Sequence, residues 1–181
     1  MIRIGILGDI GSGKSYVAKI FGYPVFNADV EVSKLYKNDK KIFVKLKKKL
    51  SKYIYSFPIK KNEITKAILA NKYNLKKIIN IVHLAIRKKM NKFLKKNINK
   101  KIVILDIPLL MENKINKKKD ILVYVQSRKP LILQKLKKRK NFNQKLLNKF
   151  KDVQYSTAYK KSKSHFIIKN NFTKIKKKEK F

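Results

Sequence analysis

Apolar positions in this chain form short runs, separated by longer stretches in which they recur every three or four residues. IRIGIL (Ile2–Leu7) reads as a strand that ends in a glycine turn, and SYVAKIF after it has helical spacing. Tyr23–Phe26 reads as a second short strand, ending at Asn27-Ala28-Asp29. From Val30 to about Leu50, Leu35, Ile42, Phe43, Leu46 and Leu50 fall on one helical face among lysines. Ser51–Asn62, with Pro58, reads as a loop. Helical period returns over Ile64–Leu94, with a break near Tyr73-Asn74 that predicts two helices. IVILDIP (Ile102–Pro108) is apolar throughout, the pattern of a strand buried on both faces, and ILVYV (Ile121–Val125) is another. Pro130–Phe150 reads as helical and very basic, Phe166–Asn171 as a last strand, and the tail from Lys174 as frayed. Strands alternating with helices predict an α/β fold: a parallel sheet flanked by helices, with a helical insertion at roughly 30–100. There is no internal repeat.

A chain of 181 residues, 44% of them hydrophobic, can bury a real core as one domain. No apolar run approaches the ~18 to 20 residues of a membrane span, and Met1-Ile-Arg-Ile-Gly lacks the layout of a secretory signal. Without cysteine there is neither disulfide nor thiolate metal site, so a cytoplasmic location is expected. The charge is extreme, 49 basic against 10 acidic residues. That would point to nucleic acid, yet only Arg3, Arg87, Arg128 and Arg139 are arginine, the usual bidentate reader of phosphate and base. Asn, Ile, Phe and Tyr, which share A/T-rich codons with lysine, are enriched too. Compositional bias filling solvated faces is therefore the simpler account, and no specific nucleic-acid partner is expected. The informative residues are the exceptions: glycines, acids and arginines.

All five glycines lie within the first 22 positions. Gly8-Asp9-Ile10-Gly11-Ser12-Gly13-Lys14-Ser15 fits G-x-x-x-x-G-K-[ST] in full, between a strand and a helix. Glycine lets successive N–H groups curl inward around a phosphate, and the following helix adds unpaired donors and its positive dipole end. Lys14 can reach the β- and γ-phosphates, and the Ser15 hydroxyl can ligate Mg²⁺. Asp29 stands at the end of the second strand, where open α/β sheets place their ligands; it can take a proton from an acceptor hydroxyl or cap the helix beginning at Val30. Asp106 ends a buried strand and can hold Mg²⁺ or cap the following turn. His83 lies on an apolar helical face, as a core histidine or a ligand contact.

Together these residues resemble the dephospho-coenzyme A kinase family over most of the chain. GDIGSGKSYVAKIF is similar to its GGIGSGKSTVA segment, VFNADVEVSKLY to its VIDAD segment, and VHLAIRKKM to its HP-x-I-R element. LDIPLLMEN matches D-x-PLL-x-E, and Arg139, Gln154, Lys160 and Asn170 follow the spacing of its lid arginine and tail. The resemblance implies a P-loop kinase-like fold in three parts: a nucleotide core (1–30, 100–127 and 165–175), a helical acceptor-substrate domain (31–99) and a helical lid (128–164), before a basic tail (176–181). It also implies transfer of the ATP γ-phosphoryl group to the ribose 3′-hydroxyl of dephospho-coenzyme A. Asp29, Lys14 and Arg139 would be catalytic. Asp9, Ile10, Gly11, Ser12, Gly13, Lys14, Ser15, Tyr16 and Asn170 would bind ATP, with Asn170 near its adenine. Asp29, His83, Arg87 and Pro108 would face the acceptor, and Ser15 and Asp106 would hold Mg²⁺. A monomer acting on small molecules, away from membranes, is expected. Asn27, Leu84 and His165 depart from the family's pattern. The alternatives are another small P-loop kinase, acting on a nucleoside monophosphate or metabolite, and a basic nucleic-acid-binding protein.

Overall fold

The computed structural model describes residues 1–140 and 142–172. The tail expected to fray from Lys174, the 176–181 segment and the end of the 165–175 piece lie outside the described residues. In chain order the elements are β1 (Ile2–Gly8), α1 (Lys14–Ile20), β2 (Val25–Asn27), α2 (Ala28–Asn38), α3 (Lys40–Lys49), α4 (Lys61–Ala70) and α5 (Asn74–Lys96). They continue with β3 (Ile102–Asp106), β4 (Ile121–Gln126), α6 (Lys129–Lys137), α7 (Gln144–Lys151), α8 (Thr157–Ser162) and β5 (Phe166–Lys169). The strands form one sheet in the order β2-β3-β1-β4-β5, with every pairing parallel.

The continuous apolar runs become strands covered on both faces, as parallel sheets require. Because side chains alternate along a strand, Ile4 and Ile6 of β1, Ile104 of β3, and Val123 and Val125 of β4 meet Val17 and Ala18 of α1 on one face. Leu7, Leu105, Leu122 and Tyr124 join the core of α2 to α5 on the other. The register aligns Asn27 with Asp106 and Gly8 with Val125. The carboxyl ends of four strands therefore open on one edge of the sheet, the edge where such folds bind ligands.

Two stretches expected to be helical are each split. Val30–Leu50 is divided between α2 and α3 at Asp39, whose side chain accepts from the Ile42 N–H at 3.0 Å and starts a new helix. Its apolar face still runs through both helices, so periodicity alone did not show the break. Pro130–Phe150 is likewise divided between α6 and α7, and Asn143 caps α7 by accepting from the Leu146 N–H at 2.9 Å. The break near Tyr73-Asn74 is where the sequence put it, and Asn74 ties α5 back to α4 through the Ala67 carbonyl at 2.8 Å. The loop before α4 wraps a buried acid: Glu63 accepts from the N–H groups of Tyr55 at 3.0 Å and Ser56 at 3.3 Å, and from the Ser56 hydroxyl. Helix α8 falls within the helical lid the resemblance implies, but the apolar pattern does not show it, since six residues are too few for a period to register.

Candidate active site

The loop between β1 and α1 is built on left-handed backbone. Gly8, Gly11 and Gly13 have φ of 149°, 85° and 90°, a region open to glycine and costly for other residues. Space is also tight. A Cβ at Gly8 would come within 2.7 Å of the Val125 carbonyl, and one at Gly13 would collide with the Asn170 amide. Asn170 is buried here and donates to the Ser12 carbonyl at 2.8 Å. It thereby braces the phosphate loop from behind. The Ser127 hydroxyl donates to the same carbonyl at 2.9 Å.

With that support the loop curls around Lys14, whose Nζ donates to the carbonyls of Gly8 at 3.2 Å and Asp9 at 2.9 Å. Among the described residues, the N–H groups of Gly11, Gly13, Lys14 and Ser15 find no backbone acceptor. No side chain caps α1 either, which leaves its positive end uncompensated. Burial lowers the pKa of Lys14, with Lys160 adding to the effect and Asp106, Asp29 and Asp9 opposing it. An ammonium held only by neutral carbonyls, beside a ring of free N–H donors, suits a polyphosphate.

Across the loop stand the acids from the neighbouring strands. Asn27 ends β2 and caps α2, its Oδ1 accepting from the Val30 N–H at 2.9 Å. That corrects the alternative in which Asp29 is the cap. Asp29 lies one residue inside the first turn, where its charge is favoured by the dipole but its side chain is free for other work. The Nδ2 of Asn27 donates to Asp106 at 2.6 Å and lies 3.4 Å from the Ser15 hydroxyl. Asp106 is therefore engaged by Asn27 as well as by its place at the strand end, and the turn-capping alternative has no support in these contacts. Asp29 is open to solvent, yet the walls of the cleft act on it. Its pKa is raised, first by burial of the carboxyl group and then by Asp106, while Lys14 and Arg139 pull it back. Ser15 and Asp106 offer hard oxygen donors on the phosphate side of the cleft, which fits Mg²⁺, an ion that keeps waters and shares its shell with substrate phosphates.

Asp29 also lines an apolar cavity of about 350 Å³ under α2, α4 and α5, together with Ala28, Ile78, His83 and Pro108. His83 leaves its Nε2 without a hydrogen-bond partner among the described residues. Burial lowers its pKa, as does Arg87 nearby, so near neutral pH it is an uncharged imidazole facing the cavity. Arg87 itself is exposed and donates to the Asn113 carbonyl at 3.3 Å. Tyr16 points outward on α1, and Ile10 packs against Ile132, Leu136 and Leu147 of α6 and α7. Of the two unassigned groups, Glu112 accepts from the Tyr155 N–H at 2.9 Å, and His165 accepts from the Leu122 N–H at 3.0 Å. Both are structural. Lys160, placed by the resemblance at the spacing of the family's tail but given no role there, is only 3% exposed and reaches Asp9 at 3.0 Å from α8.

A G-x-x-x-x-G-K-[ST] loop on a parallel sheet, facing an apolar cavity across a carboxylate, is the build of a P-loop kinase. Within that class the chain belongs to the dephospho-CoA kinase family, whose model matches residues 2–176. It is 35% identical over 176 residues to a dephospho-CoA kinase of Wolbachia pipientis, covering 94% of this chain and 90% of that one. It is 32% identical over 171 residues to that of Rickettsia bellii, covering 93% and 87%. Among solved structures, one from Thermus thermophilus superposes with a TM-score of 0.75 at 22% identity, covering 94% of this chain and 88% of that one. A dephospho-CoA kinase from Campylobacter jejuni gives 0.57 at 22% identity, covering 94% and 89%. These likenesses concern the fold.

Proposed function

We infer that the chain transfers the γ-phosphoryl group of ATP to the ribose 3′-hydroxyl of dephospho-coenzyme A, giving coenzyme A and ADP. What carries this reading within the family assignment is Asp29, which lines the acceptor cavity while lying close enough to Lys14 to feel its charge. A hydroxyl held at that wall would give its proton to the Asp29 carboxylate as its oxygen bonds the γ-phosphorus. The bond to the β–γ bridging oxygen breaks, and ADP leaves with the electron pair. The raised pKa of Asp29 favours this role, since a base is most effective when its pKa approaches the working pH.

Lys14 and the free N–H groups of the loop hold the β- and γ-phosphates, with Gly11, Ser12 and Gly13 shaping the cradle and Asn170 bracing it. Ser15 and Asp106 hold Mg²⁺, which supplies positive charge to the phosphates when bound. Arg139, in the turn after α6, is the mobile cation that closes over the transferring group. His83, Arg87 and Pro108 face the acceptor. In this reading 31–99 is the acceptor domain, 128–164 the lid, and 1–30 with 100–127 and 165–175 the nucleotide core. The protein acts as a cytoplasmic monomer with no specific nucleic-acid partner; no helix among the described residues is long and apolar enough to cross a membrane.

The test is a substrate panel followed by ADP release, with dephospho-coenzyme A beside nucleoside monophosphates and small alcohols. Turnover with dephospho-coenzyme A well above the rest is expected. Turnover with a monophosphate and none with dephospho-coenzyme A would move the chain to another branch of the kinases.

A further inference from the structure

A carboxylate is an odd side chain to place on a loop built to attract phosphate. Asp9 does so at the second position of the cradle, and the structure shows how it is tolerated. Its two oxygens accept from the Thr157 hydroxyl at 3.0 and 3.1 Å, and one accepts from Lys160 at 3.0 Å. Although burial opposes ionisation, these contacts, with Tyr124, hold the Asp9 carboxyl below the ordinary aspartate range. The loop is thus joined to α8 by a charged pair whose ammonium is almost fully buried.

Lys160 is not exhausted by that pair. An ammonium has three donors. Lys160 spends one on Asp9 and a long one on Gln154 at 3.4 Å, and the described residues offer no third acceptor. Its side chain lines the narrow space between the phosphate loop and the turn after β3, with Gly8, Lys14, Pro108 and Glu112. Lys14 and Lys160 thus bring two ammoniums to one narrow space. Such crowding is costly unless an anion joins them.

We propose that Lys160 is a second ammonium for the terminal phosphate of the nucleotide, carried by α8 and held at the rim of the phosphate loop by Asp9. Lys14 then grips the phosphates from within the cradle and Lys160 from the lid side, where negative charge moves as the phosphoryl group leaves ADP. The bond from α8 to the loop sets the approach of this second cation. The inference rests on the kinase reading only for ATP as the donor, and it requires nothing of the acceptor.

The experiment is calorimetric titration, with Mg²⁺ present and no acceptor, of a non-hydrolysable ATP analogue and of ADP. It is run on wild type, Lys160→Met and the double variant Asp9→Asn/Lys160→Met. Both variants should bind the analogue about 10-fold or more weakly, the scale of a charge-assisted contact, while ADP binding stays within about two-fold. Recovery of wild-type analogue affinity in the double variant would mean that Lys160 only neutralises Asp9, and would overturn the proposal. So would an unchanged ratio of analogue to ADP affinity, with or without a loss of thermal stability, because Lys160 would then be a strut. Absence of analogue binding by wild type would overturn it as well. The double variant leaves no unpaired, half-buried carboxylate at position 9, so it keeps the proposal testable where the single variant does not fold. Wild type that binds the analogue but ignores dephospho-coenzyme A would sink the acceptor assignment and leave this proposal standing.

Discussion

The Nδ2 of Asn27 donates to a carboxylate oxygen of Asp106 across 2.6 Å, while the Oδ1 of the same side chain caps the helix that carries Asp29. One neutral amide thus joins the acid beside the phosphate loop to the helix that presents Asp29 at the apolar cavity. An aspartate at position 27 could still cap, but it would set a second negative charge against Asp106.

Asn27→Asp should therefore separate the two tasks. The cap is retained, since Asp and Asn serve about equally. The new carboxylate pair should cost roughly 1 kcal/mol without Mg²⁺, a fall in Tm of about 2–4 °C for a chain of this size. Adding Mg²⁺ should shrink the deficit. Asn27→Ser, which caps without bringing a charge, should show no such response. Differential scanning calorimetry with and without Mg²⁺ reads both variants. A deficit in Asn27→Asp that ignores Mg²⁺ would detach Asp106 from the metal.

Lys14→Ala leaves the backbone cradle intact and removes the cation at its centre. A loss of about 10²-fold or more in kcat/KM is expected, the scale of deleting a preorganised charge donor at a transition state. Steady-state kinetics with ATP varied is the measurement. Activity within a few-fold of wild type would show that this loop does not hold the reacting phosphates.

Much of this was legible in the sequence, because the signals were of the kind a chain cannot disguise. Residues 102–105 and 121–125 are apolar without alternation, which a strand buried on both faces requires. The glycines and Lys14 mark a loop whose backbone few other residues could adopt. The split of Val30–Leu50 was not legible, since the break at Asp39 depends on a side chain turning back to a backbone N–H while the apolar face continues past it. The capping role of Asn27 was hidden for a related reason. Asn27 and Asp29 both suit a helix start, and only the position of the first turn decides between them. The role of Lys160 was hidden by composition: the resemblance placed it by spacing, but where lysine covers nearly every solvated face nothing in the sequence shows that this one is buried.

Glu63 gives a prediction about stability rather than catalysis. It is fully buried at the start of α4, and its pKa is lowered: burial opposes ionisation, but the Ser56 hydroxyl and the N–H groups of Tyr55 and Ser56 more than offset it. A depressed carboxyl contributes stability at pH values above its unfolded pKa and loses it as pH falls through the folded one. Wild type should therefore weaken below the ordinary glutamate range of about 4.3. Glu63→Gln should be less stable at neutral pH by about 1–3 kcal/mol, with a flatter acid limb. Urea unfolding followed at several pH values tests both statements. An equal acid slope in the two proteins would assign the acid sensitivity to other carboxylates.

Asp29 bears the most weight. It is not the helix cap, so Asp29→Asn removes no hydrogen bond that starts α2. Its pKa is raised in the folded protein, which means that its ionised form costs stability as pH rises through that value. At neutral pH the neutral amide should therefore melt at the wild-type temperature or slightly above it. Catalysis makes the opposite demand. An amide can orient a hydroxyl but cannot take its proton, and general-base assistance is typically worth ~10² to 10⁴-fold. Asn27 is uncharged, and Asp106 is engaged by it, so neither replaces the lost base. Asp29→Asn should fold, bind ATP, and lose at least about two orders of magnitude in kcat. The pH profile sharpens the test. In wild type, kcat/KM should fall as pH drops through a pKa above that of an ordinary aspartate, whereas in Asp29→Asn that limb should be missing from the residual rate. A variant that turns over normally and keeps the wild-type acid limb would show that the proton goes elsewhere, and the acceptor hydroxyl would then need a different base.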